Sequence, residues 1–544
     1  MHFVKFRWTF RLNGNFFTTK SRHSLISMAM KNKPLQIVCL GAGYLTIHAV
    51  RTLMKSIRKG IVEVSVIDRN NYHVFHGLVA EVLTGKLSLG DIVSPARKLF
   101  KGLDFINGEI ESVDFEAKEV VTTRLLDGKR FRINYDHLII GMGSTDDLDK
   151  YPGVSENTFR LKVYSDVVSL RNHIISLFEY ASIEEDPEER RELLTFVIAG
   201  GNYAGIEVAV ELDEFAGDMT RYYFPQIGYE EVRIIVLHSG AFILPELGER
   251  FPGLLKYAEK KISETNIQIH YNERIQSATP VSARTNKGLE ISSRTIISCV
   301  GNAQSPLFDQ WPVERHESGR LLTDAYFRLA GKENLWAGGD CAAAPHPKGG
   351  YCPPLAIYAM KAGKQISKNI LRSIHNKPLA QYRFTGLGDA CTLAHRRAVG
   401  HLYGIPFSGW LAWVAWRIFM FKYLPIWEKK IRTAIDWCIW PFVGRDIASY
   451  QSDKQLQVKE LFFEPGQDVI VEGEDGNTMF IIYEGEAAIS KEGHELGQLK
   501  RGDYFGELDV LGKGTRSSTV KSITRLRLLE IRKHLVTKLK KALE

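Results

Sequence analysis

The sequence has no run of about 20 uninterrupted apolar residues, the length a membrane-spanning helix requires, so a bilayer-crossing chain is not expected. Cysteine is scarce and scattered: Cys39, Cys299, Cys341, Cys352, Cys391 and Cys438 form no Cys-x-x-Cys pair and no even framework. That removes a dithiol redox centre and a metal site from consideration, and it suits a reducing compartment. No concentrated basic stripe accompanies the net charge of +8, so nucleic acid is not an expected partner. Carboxylates are missing at the start. None precedes Glu63, whereas residues 1–33 carry Lys5, Arg7, Arg11, Lys20, Arg22, Lys31 and Lys33. A basic, acid-free leader resembles a transit peptide; the plainer expectation is an over-extended start, with Met28 or Met30 as initiator.

What the chain does have is size and two repeated glycine turns. At 544 residues it exceeds one hydrophobic core, and two to four domains are expected. The 44% hydrophobic and 25% charged fractions are ordinary for a globular protein. Leu35-Gln-Ile-Val-Cys-Leu-Gly41-Ala-Gly43 is an apolar run entering a glycine turn, and Leu194-Thr-Phe-Val-Ile-Ala-Gly200-Gly201-Asn-Tyr-Ala-Gly205-Ile-Glu207 repeats that grammar. In each, a buried strand feeds a turn and then a helix whose free N-terminal amides suit a pyrophosphate. One such turn is weak evidence, because glycines also end strands for steric reasons. Two of them in one chain imply an α/β protein in which hydride passes between two dinucleotide cofactors.

The first unit continues with a helix from Tyr44 to Lys59 and an alternating strand Ile61–Asp68. Asp68 stands where an acid binds an adenosine ribose, or it caps the turn Asp68-Arg69-Asn70-Asn71. Thr46 fills the slot of a third glycine. Tyr135–Ser144 reads as a further strand closing on Gly141 and Gly143, a second backbone approach to the same cofactor.

In the second unit, Ser165–Ala181 reads as a helix and Glu184–Arg191 as a solvated charged loop. Asn202 replaces the middle glycine, a position explained by its tolerance of left-handed backbone angles. Glu207 falls near the helix start, where a carboxylate also favours the dipole, and Glu211 strengthens that plainer reading. Val232–Ser239 ends on His238, where a site for NADH carries a carboxylate that repels a 2′-phosphate. NADH is therefore the first reading and NADPH the alternative. Gly301 closes the unit as Gly143 closes the first.

Asn334-Leu-Trp-Ala-Gly338-Gly339-Asp340 adds a strand ending in Gly-Asp. With the Gly41 turn, Asp68, Arg69–Phe75, Arg171-Asn-His-Ile-Ile, Arg190-Arg-Glu-Leu-Leu-Thr-Phe-Val, Pro353-Pro354 and Gly409-Trp-Leu-Ala-Trp413, it makes an ordered set. From about Leu35 to Ile447 the chain resembles the type II NADH dehydrogenases, which are FAD-dependent NADH:quinone oxidoreductases. The resemblance implies FAD in the first unit, with Asp340 near its ribityl–pyrophosphate stretch, and NADH in the second, with Glu207 beside the nicotinamide. It implies hydride transfer followed by two-electron delivery to a quinone, for which orientation matters and no acid–base triad is needed. Where the family carries glutamines facing the quinone, this chain has Ile357 and Lys361; Lys361 is either a hydrogen-bond donor to the acceptor or a solvated helix residue.

Phe407–Phe421 is apolar and aromatic, with Trp410, Trp413 and Phe421, and Lys422, Lys429, Lys430 and Arg432 follow. The family resemblance implies a helix lying in the lipid interface, the plainer alternative being a core helix. Beyond Lys454 the texture changes to short strands and glycine turns, as in a small barrel or jelly roll. There Tyr504-Phe-Gly506-Glu507 runs to Arg516-Ser517 and is similar to the phosphate-binding cassette of cyclic nucleotide-binding domains. In that cassette Gly506, Glu507 and Arg516 hold the ribose phosphate, and Ser517 leaves cAMP against cGMP open. Asp509 and Thr515 depart from its usual Ala and Pro.

The expected organisation is a leader at 1–33, an FAD-binding part at 34–160 and NAD(P)H binding at 161–301. A second FAD-binding part at 302–380, a membrane-associating region at 381–447 and a cyclic nucleotide-binding domain at 448–544 follow. The expected protein is a peripheral enzyme on the cytoplasmic face of a membrane (the inner membrane in a bacterium), regulated by a cyclic nucleotide and compatible with a homodimer. Organelle targeting is set second. A weakened reductase scaffold acting as a sensor, or a reductase with a soluble acceptor, are the alternatives.

Overall fold

The computed structural model describes residues 33–146, 148, 150–301, 303–393, 395–449, 458–474, 476, 478–511 and 515–532. The basic leader and the linker up to residue 457 lie outside them. Two parallel sheets form the frame. The first runs in the order Leu335–Ala337, His137–Ile140, Leu35–Leu40, Val62–Asp68, Asp104–Asn107, every neighbour parallel. The second runs Ile267–Tyr271, Arg233–His238, Thr195–Ala199, Thr295–Ser298, again all parallel. Helices cover both faces of such sheets, which is why their central strands read as continuous apolar runs. All of Thr195–Ala199 is buried, as is the stretch from Ile37 to Leu40.

The edge strand Leu335–Ala337 belongs to the first sheet although it follows the whole second sheet in the chain. That return brings the 338–340 turn back beside the Gly41 turn. Helix Ala356–Ile374 then lies against helix Tyr44–Arg58, where a β-carbon at Gly363 would collide with the Leu45 carbonyl. Ser367 Oγ donates to the Ala49 carbonyl across the same crossing, 3.0 Å.

A three-stranded antiparallel sheet, Ala390–Leu393, Arg397–Leu402 and Ile405–Ser408, leads into helices Gly409–Tyr423 and Trp427–Val443. No helix among the described residues is long and apolar enough to cross a membrane. The C-terminal module is two four-stranded antiparallel sheets packed on a core that includes Phe480, Ile482, Phe505, Val520 and Leu528.

Three local expectations are corrected. The charged stretch 184–191 is not simply a solvated loop: Asp186 accepts from the Glu188 amide at 2.8 Å and caps a helix Pro187–Leu193. Asp followed by Pro is an N-cap and first-turn pattern that the charge density obscured. Asn202 is extended, not left-handed; its Oδ1 accepts from the Gly205 amide at 3.0 Å and caps helix Tyr203–Asp218. Glu207 lies beyond that helix's first turn, which holds no acid, so the dipole does not account for it.

Candidate active site

The two glycine turns share one hydrogen-bond arrangement. At the first, Gly41 has φ +92°, and a β-carbon there would sit 2.5 Å from the Gly141 carbonyl oxygen, so only glycine fits. The next amide, Ala42 N–H, donates to Asp68 Oδ2 at 2.7 Å, and Asn70 N–H donates to Oδ1 at 2.7 Å. Asp68 is thus fixed at the strand end with lone pairs to spare. Burial pushes its carboxyl up, and the two amides with Arg69 hold it down. Thr46 answers for the missing third glycine by turning its hydroxyl back to the Gly41 carbonyl, 2.6 Å.

Gly43 and Gly143 face open space: the Gly141 oxygen at 4.0 Å is the sole atom near a Gly43 β-carbon, and none lies within 4 Å of one at Gly143. Gly339, φ +73°, begins the short turn that carries Asp340. Burial raises the Asp340 carboxyl, opposed by the charges of Lys162, His76 and Arg320. Lys162 pairs with Asp146 at 3.0 Å, and its carbonyl lies 2.8 Å from His76 Nε2. The structure therefore brings Gly41, Gly43, Asp68, Gly143, Gly339 and Asp340 to one end of one sheet.

At the second turn Gly200 has φ +120°, and a β-carbon at Gly205 would strike the Gly200 carbonyl, which lets the helix close on the strand. Gly201 N–H donates to His238 Nδ1 at 3.2 Å. His238 thus occupies, at this sheet, the place Asp68 holds at the first. Gly301, φ +85°, ends the neighbouring strand. Asn202 Nδ2 donates to the Cys299 carbonyl at 2.7 Å and ties the turn to that strand.

Glu207 points from the same helix toward strand Ala390–Leu393, where its Oε1 accepts from the Thr392 amide at 3.3 Å. Burial pushes this carboxyl up to about 8, the Thr392 amide pulls it back, and Glu211 and Glu81 raise it further. It is therefore largely protonated at neutral pH. Below it on the helix Glu211, Glu214 and Asp218 continue as a stripe, and each finds a cation. Lys86 pairs with Glu211 at 2.8 Å and Glu214 at 3.0 Å, Arg445 with Asp218 at 2.5 Å, and Arg417 with Glu81 at 3.0 Å. Glu211 lends no support to the plain helix-start reading of Glu207, because it is buried and ion-paired.

The geometry of two linked dinucleotide-type sheets agrees with the comparisons. Residues 35–363 match the family model described as pyridine nucleotide-disulphide oxidoreductase. The chain belongs to that family. Among its relatives is the "Type II NADH:quinone oxidoreductase NdhA" of Mycobacterium tuberculosis, 27% identical over 430 residues, covering 75% of this chain and 87% of the relative. Another is the "External alternative NADH-ubiquinone oxidoreductase, mitochondrial" of Yarrowia lipolytica, 25% identical over 475 residues, covering 76% and 80%. In fold the chain resembles NDH2 from Plasmodium falciparum solved with NADH, TM-score 0.70 at 17% identity, over 77% of this chain and 100% of that one. Residues 460–542 match the model described as cyclic nucleotide-binding domain.

In this oxidoreductase the fold class read from the sequence holds: parallel dinucleotide-type sheets, then an antiparallel C-terminal module. All six cysteines are free. No group of three His, Cys, Asp or Glu among the described residues is placed to hold a metal. Lys361 is half-buried, with its ammonium 5.1 Å from the centre of the Phe384 ring. Burial and the neighbouring Lys364, Lys422 and Lys368 lower its basicity. Ile357, one turn earlier, is also half-buried.

Near the C-terminal end of the oxidoreductase part, Lys429 is not a surface cation, since it is buried and donates to the Gly90 carbonyl at 2.7 Å. The sequence reading stopped at the aromatic helix and missed the next one. On Trp427–Val443 the residues Trp427, Ile431, Ile435, Ile439 and Phe442 recur at helical spacing and are all exposed, Phe442 by 88%. Their spacing of three to four was the available signal. Arg417, 4.4 Å from the Trp413 ring centre and 4.3 Å from that of Trp437, holds the two helices together.

In the C-terminal module Gly506 precedes a short helix Glu507–Leu511, and Arg516 is buried beside it. Arg516 Nη1 donates to the Thr478 carbonyl at 2.7 Å and Nη2 to Thr478 Oγ1 at 2.9 Å, over the Phe480 ring. A β-carbon at Gly506 would sit 2.7 Å from Arg516 Nη1, which brings these two cassette residues together; Ser517 is exposed.

Proposed function

We propose that this chain is a peripheral membrane flavoenzyme that oxidises NADH and reduces a quinone, with its activity or membrane residence set by a cyclic nucleotide. The observation that carries the reading is the duplicated turn, with Ala42 N–H on Asp68 in one parallel sheet and Gly201 N–H on His238 in the other. FAD fits the first. Gly41 makes the tight turn, Gly43 and Gly143 leave room for backbone approach, Asp68 offers acceptors to a ribose, and Asp340 lies at the end of the return strand. When bound, FAD supplies the hydride-accepting ring. In this reading residues 34–160 and 302–380 hold FAD, and 161–301, with Gly200, Gly201, Gly205 and Gly301, hold NADH. Glu207 keeps a neutral carboxyl beside the nicotinamide and so adds no charge there. Lys361 faces the acceptor, and the names of the relatives support a quinone as that acceptor.

The exposed row Trp427, Ile431, Ile435, Ile439 and Phe442, with Trp410, Leu411 and Ile418 on the preceding helix and Lys422 and Arg432 nearby, suits insertion into one leaflet at 381–447. A peripheral enzyme of this kind would sit on the cytoplasmic face. A quinone dissolved in the membrane is then within reach. The module at 448–544 supports cyclic nucleotide binding through Gly506, Glu507, Arg516 and Ser517, with cAMP or cGMP as ligand.

Anaerobic titration of the purified flavoprotein with NADH is expected to bleach its visible absorbance stoichiometrically. A colourless protein that FAD does not reconstitute would overturn the oxidoreductase reading. In liposome flotation the chain is expected to float, and cAMP or cGMP is expected to change either the floated fraction or quinone reduction. Arg516→Ala is expected to abolish that change without altering basal turnover. Wild-type flotation and turnover both insensitive to cyclic nucleotides would refute the regulation.

A further inference from the structure

The chain crosses from the first parallel sheet to the second through residues 145–162, and this crossing touches both. Thr145 and Ala303 exchange backbone hydrogen bonds at 2.9 and 2.8 Å, which joins the outward crossing to the return. Phe159 N–H donates to the Ile296 carbonyl at 2.7 Å, so the segment then runs beside a strand of the second sheet. At its end the Lys162 carbonyl lies 2.8 Å from His76 Nε2, back at the first site. Between these points sits the short helix Val154–Asn157. It is seated closely: a β-carbon at Gly153 would lie 2.1 Å from the Ala278 carbonyl oxygen, and Asn157 Nδ2 donates to that oxygen at 3.2 Å. Val154 shares a core with Ala199 and Leu237, the residues just before Gly200 and His238, so the helix backs the second glycine turn.

The C-terminal module rests on this helix. Strand Val458–Phe463 lies against it, and the Arg525 guanidinium bonds to the Glu156 carboxylate. An ion pair between exposed side chains contributes little, and Arg525 keeps 55% of its side chain in solvent. Glu156 is the reverse. It is mostly enclosed, and its Oε2 is buried with no hydrogen-bond partner among the described residues. Drawing Arg525 away while the surfaces stay closed would strand that carboxylate, so the contact is sensitive to where Arg525 is held.

Arg525 is held from the cassette side. Arg516 leads into strand Thr519–Ser522, and Arg525 ends the loop after it. Ser522 Oγ accepts from the Gln467 amide at 3.0 Å, and Arg525 Nε lies 3.6 Å from Glu464. A β-carbon at Gly485 would sit 2.2 Å from the Arg525 carbonyl oxygen. Packed and hydrogen-bonded segments of this kind carry coupling between distant sites.

We propose that the C-terminal module acts on the oxidoreductase through the Arg525–Glu156 contact on the 145–162 crossing, so that a cyclic nucleotide changes how the enzyme holds its pyridine nucleotide and not how it meets the membrane. This rests on the readings of the Gly200 turn as the NADH site and of the Gly506 cassette as the cyclic nucleotide site.

Coupling between two binding sites is reciprocal, so it can be read from either one. The test is calorimetry on the full-length flavoprotein, measuring the Kd of cAMP and of cGMP with and without saturating NAD+. NAD+ is expected to change the Kd of the cyclic nucleotide that binds by about fivefold or more. Arg525→Glu sets like charges against each other, and there the change is expected to shrink to about twofold or less. Cyclic nucleotide should still bind that variant without NAD+, because Arg525 lies outside the cassette. Adding Glu156→Arg to Arg525→Glu returns opposite charges to the two positions and is expected to return the coupling. Thermal melting checks that both variants fold. Flotation on liposomes is expected to be the same with and without cyclic nucleotide. A wild-type Kd that NAD+ leaves unchanged, coupling that survives Arg525→Glu or that the paired exchange does not return, or flotation that shifts with cyclic nucleotide, would overturn the proposal. A wild type that binds neither cAMP nor cGMP would instead overturn the reading of the cassette, and one that binds no NAD+ the reading of the Gly200 turn.

Discussion

Glu207→Gln is expected to lack the fall in stability that the wild-type chain shows as pH rises from about 4.5 to about 8. The Glu207 carboxyl has an ordinary value of 4.5 and is raised in the folded chain to about 8, chiefly by burial. Between those limits the folded state holds a proton that the unfolded state has released. Unfolding free energy then falls as pH rises, by about 1.4 kcal/mol per unit for a fully shifted group. The contribution is fully present below pH 4.5 and gone above about 8. Glutamine is the neutral isostere and can still accept from the Thr392 amide, so the variant should lack this slope. Urea unfolding of both proteins at several pH values between 5 and 9 is the measurement. Parallel curves would mean that Glu207 is ionised in the folded protein, which would remove the neutral group assigned beside the nicotinamide.

Arg445→Met is expected to cost about 1.5–3 kcal/mol, the range for losing hydrogen bonds to charged groups, because Asp218 keeps about a third of its surface in solvent and Glu214 keeps Lys86. Its guanidinium is almost fully enclosed. Nε donates to Asp218 at 2.5 Å, Nη1 donates to the Thr84 carbonyl at 3.0 Å, and Nη2 lies 3.6 Å from Glu214. The rings of Trp440 and Phe215, 5.5 and 5.6 Å away at their centres, flank it. Methionine would fill much of the volume and leave Asp218 without its cation. The neighbouring Asp446 is bound to the buried Arg171, and its carbonyl passes so close to Gly85 that a β-carbon there would come within 2.6 Å. Segment 444–447 is therefore fastened into the oxidoreductase just before the linker to the C-terminal module. Denaturant midpoints should place Arg445→Met well below the wild type, and Asp218→Asn on top of it should restore part of the loss. A shift under about 0.5 kcal/mol, the ordinary size for surface substitutions, would show that the cluster is solvated.

These predictions draw on residues whose roles were legible to different degrees. The Gly41 and Gly200 turns, Asp68 and Gly339-Asp340 are local signals: a strand, a turn and a helix start are adjacent in the chain, so spacing alone exposes them. The cassette from Gly506 to Arg516 is similarly compact. His238 was legible as a departure, because the missing carboxylate stands at a defined strand end. Its engagement by Gly201 and Phe242 was not, since that depends on a ring enclosed between two glycines distant in sequence.

Glu207 shows the limit from the other side. Its place near the helix start suggested solvated dipole compensation, but Thr392 and Glu81 reach it from two other segments, and the helix buries it there with Glu211 one turn along. A pKa follows from desolvation and neighbouring charge, and neither is a property of a local pattern. The ion-paired set of Lys86, Glu211, Glu214, Arg417 and Arg445 was invisible for the same reason.

The sequence by itself determined the two dinucleotide-type sheets, the glycine turns between strand and helix, and the separate C-terminal module, because periodicity, turn chemistry and helix starts are written in adjacent residues. Tertiary structure alone decided which charges are buried and paired, which helix face stays exposed, and that the His238 ring is held between Gly201 and the Phe242 carbonyl. Burial and partnership arise when distant segments meet, and no local pattern encodes that meeting.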